Sequence, residues 1–414
     1  MLFTWDGSQF AWEADLYPTG KLGLLTANGY AKPNPDDIYL LVNQPVLGAD
    51  GTYELRMVEE RSEVDYMDKV KLYTVDVPSD RNAYAEIIPF SASNADNPGP
   101  VLHTVSKNLQ RPLSIVHVNT GEDVTGVLSA PDGNYLLLNN DNNNFSWQTL
   151  EIDFGDLSRA PMTKLIIDGT SVFPSTPDGF TLASQLSSTP ERTKLEVLDA
   201  NGNWVLVPRS TVILSKPMEF RRPYVVNLSN IFLTKMYKIR LSFLYKTYVD
   251  SILFDTTADE ALSINEVPLV SASLGYYGAS ATTTTSQGDV NGFIYGVQAA
   301  SDYQYMPGNY TAYGDVTLLL TAMDDEFVIF RGGDEVKLKF SAPVARPEGT
   351  SRRFLVYSHG YYKDFKKNSV IPKTVDPLPF AAMSNFPYDP TVENYPADAE
   401  HNQYRTDYNT RSYP

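Results

Sequence analysis

Apolar and polar residues alternate with a period of two along much of the chain. Tyr237, Ile239, Leu241 and Phe243 fall on one face, and Lys238, Arg240 and Ser242 on the other, the pattern of a strand with one side against a core. Val336, Leu338 and Phe340 alternate with Lys337 and Lys339 in the same way, as do Leu150, Ile152 and Phe154 with Glu151 and Asp153. No amphipathic helical stretch of comparable length competes with them. Turn residues punctuate the runs at Ala49-Asp50-Gly51, Asp132-Gly133-Asn134, Asp168-Gly169 and Asn201-Gly202. The last separates 194–198 from 204–207 and predicts a hairpin closed by a tight type I′ turn. The expected fold is all-β, with two or three consecutive β-sandwich domains of jelly-roll or immunoglobulin-like type.

The polar run Asn139-Asn140-Asp141-Asn142-Asn143-Asn144 and the stretch Thr256-Thr257-Ala258-Asp259-Glu260 suggest domain boundaries. They give a β-sandwich at 1–140, a jelly-roll-like sandwich at 141–257 and a β-rich domain at 258–371. Beyond 372, Pro, Tyr and Asn dominate. Proline removes ladder donors and fixes φ, so 372–414 is expected to run extended over a surface. Tyr66-Met67-Asp68-Lys69-Val70-Lys71-Leu72 is echoed by Tyr248-Val249-Asp250-Ser251-Ile252-Leu253-Phe254, as if two sandwiches used equivalent strands.

At 414 residues with 42% hydrophobic content the chain can bury sizeable cores. Its formal charge of −17 disfavours nucleic acid and anionic lipid headgroups, both of which are bound through clustered Lys and Arg. The absence of cysteine removes disulfides, thiolate metal sites and a Cys nucleophile. No apolar run approaches the roughly 20 residues that cross a bilayer, so no membrane insertion is expected. Residues 1–7 lack the basic and apolar regions of a signal peptide; if the protein is exported, the numbering is expected to begin after a leader.

Catalytic signatures are few. The histidines His103, His117, His359 and His401 show no H-x-x-x-H spacing, and neither G-x-S-x-G, H-E-x-x-H nor a Walker loop occurs. Calcium is the cofactor that the composition allows, because it takes oxygen ligands that Asp, Asn and Glu in loops can supply. Candidate ligands are Asn139 and Asp141 in the polar run, and Asp324, Asp325 and Glu326 with Asp334 and Glu335, which the Gly332-Gly333 turn could bring together. Asp199-Ala200-Asn201-Gly202-Asn203 resembles half of a calcium loop, but Trp204 stands where glycine is required. N-glycosylation patterns begin at Asn144, Asn227 and Asn309. Tyr276, Tyr277, Tyr303, Tyr305, Tyr310 and Tyr313 concentrate aromatic rings in one region, a composition suited to sugars or partner chains.

Phe3-Thr4-Trp5-Asp6-Gly7-Ser8-Gln9-Phe10, Ala14-Asp15-Leu16, Asp50-Gly51-Thr52-Tyr53-Glu54-Leu55-Arg56, Glu63-Val64-Asp65-Tyr66-Met67-Asp68 and Leu72-Tyr73-Thr74-Val75-Asp76 occur in that order. Leu195-Glu196-Val197-Leu198-Asp199, Tyr313-Gly314-Asp315-Val316, Gly333-Asp334-Glu335-Val336 and Val375-Asp376-Pro377-Leu378-Pro379-Phe380 follow. Together they resemble the region that follows the repeats in bacterial FG-GAP and ASPIC/UnbV-type surface proteins. The resemblance implies export, a β-rich extracellular architecture and a part in adhesion or assembly. The D-x-D-x-D-G repeats of the propeller in that family are absent here, so its calcium sites do not carry over.

The leading expectation is a non-catalytic structural or adhesive protein of the cell surface that self-associates or binds other surface proteins. Its tail, with Tyr388, Tyr395, Tyr404, Tyr408 and Tyr413 as anchors, is expected to cross a neighbouring subunit. Carbohydrate binding, placed on the jelly-roll-like region, is the alternative. A glycoside hydrolase is third, since two convergent carboxylates leave no sequence signature.

Overall fold

A computed structural model describes residues 1–414 apart from 17–19, 24, 27–28, 31, 87–101, 140–145, 173–192, 215–216, 218 and 366–370. The protein is all-β, and among the described residues its one α-helix is Ala399–Asp407. No described helix is long and apolar enough to cross a membrane. The chain divides into two compact units. The first contains Met1–Val75, Ser263–Arg346 and Arg352–Pro414, and the second Asp76–Leu262 with Pro347–Ser351.

The second unit is a sandwich of two antiparallel sheets. One runs in the order Glu122–Asp123, Ser114–His117, Gln148–Asp153, Lys238–Phe243, Thr193–Leu198, Trp204–Leu206. The other runs Leu136–Leu138, Thr247–Asp255, Lys164–Ser171, Tyr224–Asn227. Their apolar faces, including Leu150, Ile152, Ile239, Leu241 and Phe243 with Leu165, Ile167, Val226, Val249 and Ile252, form one core. The expected boundary at 140 falls inside this unit, because Ser114–His117 and Leu136–Leu138 are strands of its two sheets.

The hairpin at Asn201-Gly202 is present, with Leu198 opposite Trp204. Its loop is the five residues 199–203 rather than a two-residue turn. The Asp199 carboxylate accepts from the backbone N–H groups of Asn201 and Asn203, both at 2.8 Å, so this aspartate organises the loop itself.

His103 (5% exposed) in the second unit lies between two carboxylates. Its Nδ1 is 2.6 Å from Asp259 and its Nε2 3.3 Å from Glu86; Asp259 also meets the buried ammonium of Lys164 at 3.1 Å. Burial opposes a charge on the ring, but the hydrogen bonds to Glu86 and Asp259 outweigh it and hold the imidazole pKa above its ordinary value. A folded-state value above the unfolded one gives stability that is complete below about pH 6.5 and lost as pH rises through the folded value. Calorimetry should therefore show the second unit melting lower at pH 9 than at pH 6, with His103→Asn removing most of the difference. An unchanged slope in that variant would refute the assignment.

In the first unit, six strands run in the order Phe10–Ala14, Leu2–Trp5, Tyr53–Val58, Asp334–Phe340, Leu269–Tyr276, Gly314–Asp315. A second sheet runs Ser263–Val267, Glu63–Pro78, Thr350–Asp364, Asp36–Leu40, with Val328–Arg331 pairing antiparallel to Glu63–Pro78. Leu55, Met57, Val336, Leu338 and Phe340 share a core with Met67, Val70, Leu72, Phe354 and Val356. A separate core joins Val64, Tyr66, Phe327, Ile329 and Tyr361 to Ile371, Val375, Leu378, Phe380, Met383, Phe386 and Tyr388.

The segment 372–414 is thus not an extended tail. It supplies core residues, the helix Ala399–Asp407 and the strand Arg411–Tyr413. Tyrosine makes this possible, since each ring fills space while its hydroxyl satisfies a carbonyl that proline-rich backbone leaves outside any ladder. The two echoed segments lie in Glu63–Pro78 and Thr247–Asp255, and Asp68 and Asp250 are both fully buried.

Candidate cation site

The strand Tyr53–Val58 ends at Glu59, and residues 60–62 lead into Glu63–Pro78. Two residues apart in an extended segment, Glu63 and Asp65 point to the same side. Val328–Arg331 pairs with this segment so that Phe330 stands opposite Asp65. Ligand oxygens of Glu59, Glu63 and Asp65 thereby come within 4.8 Å of one another. They line a cavity of about 20 Å³, closed by Met57, Val58, Phe330 and Tyr362, with Asp15 and Arg61 at its edge.

Glu59 and Asp65 are buried and Glu63 is partly exposed. The Arg61 backbone N–H donates to Glu59 Oε1 at 2.7 Å and fixes that carboxylate. Arg61's own guanidinium reaches Asp15 at 3.5 Å. Asp65 Oδ2 is completely buried and accepts no hydrogen bond. Desolvation and then the charge of Asp65 push Glu59 well above the usual carboxylate range. Desolvation, reinforced by the charge of Glu59, raises Glu63 to about 8, and desolvation raises Asp65 to about 7.

Three acids around one water-sized space cannot all be ionised without a compensating positive charge. Arg61 and the Met1 ammonium, which donates to Val58 O at 2.6 Å, supply part of it, and protons or a cation can supply the rest. The donor set is all oxygen, which suits a hard divalent cation such as Ca²⁺ or Mg²⁺, with water completing the coordination shell.

The residues expected to bind calcium lie elsewhere. Asp324, Asp325 and Glu326 precede the strand Val328–Arg331, whereas Asp334 and Glu335 follow it. An extended strand separates its two ends, and Gly332-Gly333 turns only the far end. Backbone N–H groups of Asp324 and Asp325 face the buried Asp68 carboxylate at 3.4 Å, and Asp325 Oδ1 accepts from the Ala381 N–H at 2.8 Å. Asp334 is held by Arg411 at 2.6 Å and by the Tyr313 hydroxyl at 2.7 Å. Glu335 is 3.7 Å from Arg56 and 3.5 Å from Lys337. The charges of Asp334 and Glu335 are matched by Arg411, Arg56 and Lys337. Asn139 donates its side-chain amide to the Leu244 carbonyl at 3.1 Å, while Asp141 lies outside the described residues.

The five tyrosines expected to grip a neighbouring subunit are engaged within the first unit. Tyr388 donates to Leu378 O at 2.9 Å, Tyr395 to Asp325 O at 2.6 Å and Tyr404 to Phe327 O at 2.6 Å. Tyr408 packs near Tyr404, and Tyr413 lies beside Tyr305 and Tyr310. Of the glycosylation candidates, Asn309 is exposed, Asn227 is partly buried and accepts from Ser229, and Asn144 lies outside the described residues. No protein-family model, curated protein or solved structure matches this chain.

Proposed function

We propose that this is a non-catalytic structural or adhesive protein of the cell surface, whose first unit is fastened by a divalent cation held between Glu59, Glu63 and Asp65. The observation that carries the reading is the size of the space these carboxylates enclose. About 20 Å³ admits an ion or a water and has no room for a sugar ring or any other organic reactant. Such a site can fix the turn at 59–63 to the strand that follows it. Extracellular placement is supported by the resemblance to FG-GAP and ASPIC/UnbV-type proteins. Adhesion then belongs to the surfaces of the units, since the C-terminal tyrosines are used internally.

Thermal melting in calcium and in chelator tests this. Saturation at about a hundred times Kd adds roughly 2.7 kcal/mol, or several degrees for a unit of this size. Glu59→Gln combined with Asp65→Asn should abolish the calcium response while leaving the fold intact in chelator. A calcium-induced rise that survives in the double variant would place the cation elsewhere.

A further inference from the structure

Arg331 is 7% exposed, and among the described residues it has no carboxylate partner. Its guanidinium is wedged between two aromatic rings, 3.6 Å from the centroids of both Tyr305 and Tyr413. Its Nε and Nη1 are buried with no acceptor. Unpartnered donors of this kind cost free energy unless something supplies an acceptor.

The surroundings are aromatic. Tyr276 (62% exposed), Tyr313 (44%) and Tyr305 (37%) present ring surface to solvent. Tyr276 lies cross-strand from Asp334, and its ring comes within 3.0 Å of where a side chain on Gly333 would begin. A Cβ on Gly332 would lie 2.9 Å from the Tyr303 ring and 2.5 Å from the Arg61 carbonyl, so only glycine lets that ring rest on the turn. Behind the rings, Tyr303 donates to Glu60 at 3.0 Å, Tyr313 donates to Asp334 at 2.7 Å, and Arg411 covers the Tyr313 ring at 4.1 Å. Tyr303 and Tyr313 are therefore anchored through their hydroxyls, Tyr305 rests on Arg331, and Tyr276, Tyr305 and Tyr313 keep exposed surface.

We propose that this surface is a saccharide-binding platform for a neutral glycan, with sugar rings stacked on Tyr276 and Tyr305, the latter ring held by the buried Arg331 guanidinium. Tyrosine offers an apolar face at low entropic cost, and C–H-rich sugar faces complement it. Neutrality follows from charge. Asp334 and Arg411 cancel, the two rings already share the Arg331 charge, and a chain of net charge −17 repels acidic polysaccharide. The site lies in the first unit, not in the jelly-roll-like region where sequence reasoning placed carbohydrate binding, and it does not depend on the cation site.

The test is calorimetric titration of the full chain, in chelator and about 0.15 M salt, with maltotetraose, cellotetraose, xylotetraose, mannotetraose, chitotetraose and tetragalacturonate. At least one neutral tetraose should bind with Kd below about 1 mM. Tyr276→Ala should weaken it by roughly tenfold without changing the melting temperature, Tyr305→Ala should weaken it by as much while also lowering the melting temperature because its ring covers Arg331, and Arg331→Lys should weaken it further. Because Arg331 is buried, the exposed tyrosine variants decide the question if Arg331→Lys misfolds. No binding by any neutral tetraose, binding indifferent to both tyrosine variants, or preference for tetragalacturonate would overturn the proposal.

Discussion

Replacing Lys363 by methionine will destabilise the first unit by about 3 kcal/mol or more. Lys363 has no solvent exposure. Its ammonium donates to Thr374 O at 3.1 Å, Val375 O at 2.6 Å and Pro377 O at 2.8 Å, so all three of its protons have acceptors. It lies over the rings of Tyr66 and Phe386, 5.4 and 5.1 Å from their centroids. Methionine would fill much of the space and bond to none of the carbonyls; Val375 O keeps the Tyr66 hydroxyl at 2.6 Å, while those of Thr374 and Pro377 would each carry a desolvation cost of about 1–3 kcal/mol. The damage should be local first. Hydrogen exchange ought to show faster opening of 371–388 than of the strands Tyr53–Val58 and Asp334–Phe340. Uniform exchange across the unit, or a loss within about 0.5 kcal/mol, would mean that the lysine does not hold this segment down.

Asp334→Ala should cost about 3–5 kcal/mol, because it leaves a nearly buried arginine without its counter-charge. The carboxylate receives Arg411 through two nitrogens at 2.6 and 3.1 Å, the Tyr313 hydroxyl at 2.7 Å and the Arg331 backbone N–H at 3.1 Å. Arg411→Met added to Asp334→Ala should recover part of the loss, since an apolar pair of similar bulk removes the orphaned charge. Denaturant unfolding of the two variants measures this. If Asp334 were instead a calcium ligand, Asp334→Ala would chiefly remove the calcium dependence of stability and the second substitution would restore nothing.

The period-two pattern located the strands because one-sided burial writes itself directly into local sequence. Ile239, Leu241 and Phe243, and likewise Val336, Leu338 and Phe340, are at most 1% exposed. Division into units left no such mark. The sheet of the first unit sets Tyr53–Val58 beside Asp334–Phe340, a pairing between distant segments that no turn residue announces. The polar run at 139–144 attracted a boundary although the strands before and after it belong to one sandwich.

The C-terminal segment misled for a different reason. Proline and tyrosine content correctly excludes a central strand, but it does not distinguish a surface strap from a layer that buries its rings and returns its hydroxyls to carbonyls. Phe386, Tyr388 and Tyr404 take the second course.

The cation site was partly legible. Glu63 and Asp65 share one face of a strand by simple alternation, and Glu59 stands just before the reversal that leads into it. What local sequence does not encode is that Phe330 and Tyr362 close over this face, turning three ordinary acids into a buried cluster. The aromatic concentration at 276–313 was visible, yet its link to Arg331 and Tyr413 depends on the strand Gly308–Tyr310 pairing with Arg411–Tyr413.

The most direct measurement is anomalous diffraction from crystals of the full chain grown with calcium. The account predicts one anomalous peak between Glu59, Glu63 and Asp65, with carboxylate oxygens at about 2.3–2.6 Å. A water in the cavity without anomalous signal, at calcium concentrations that saturate extracellular modules, would contradict it.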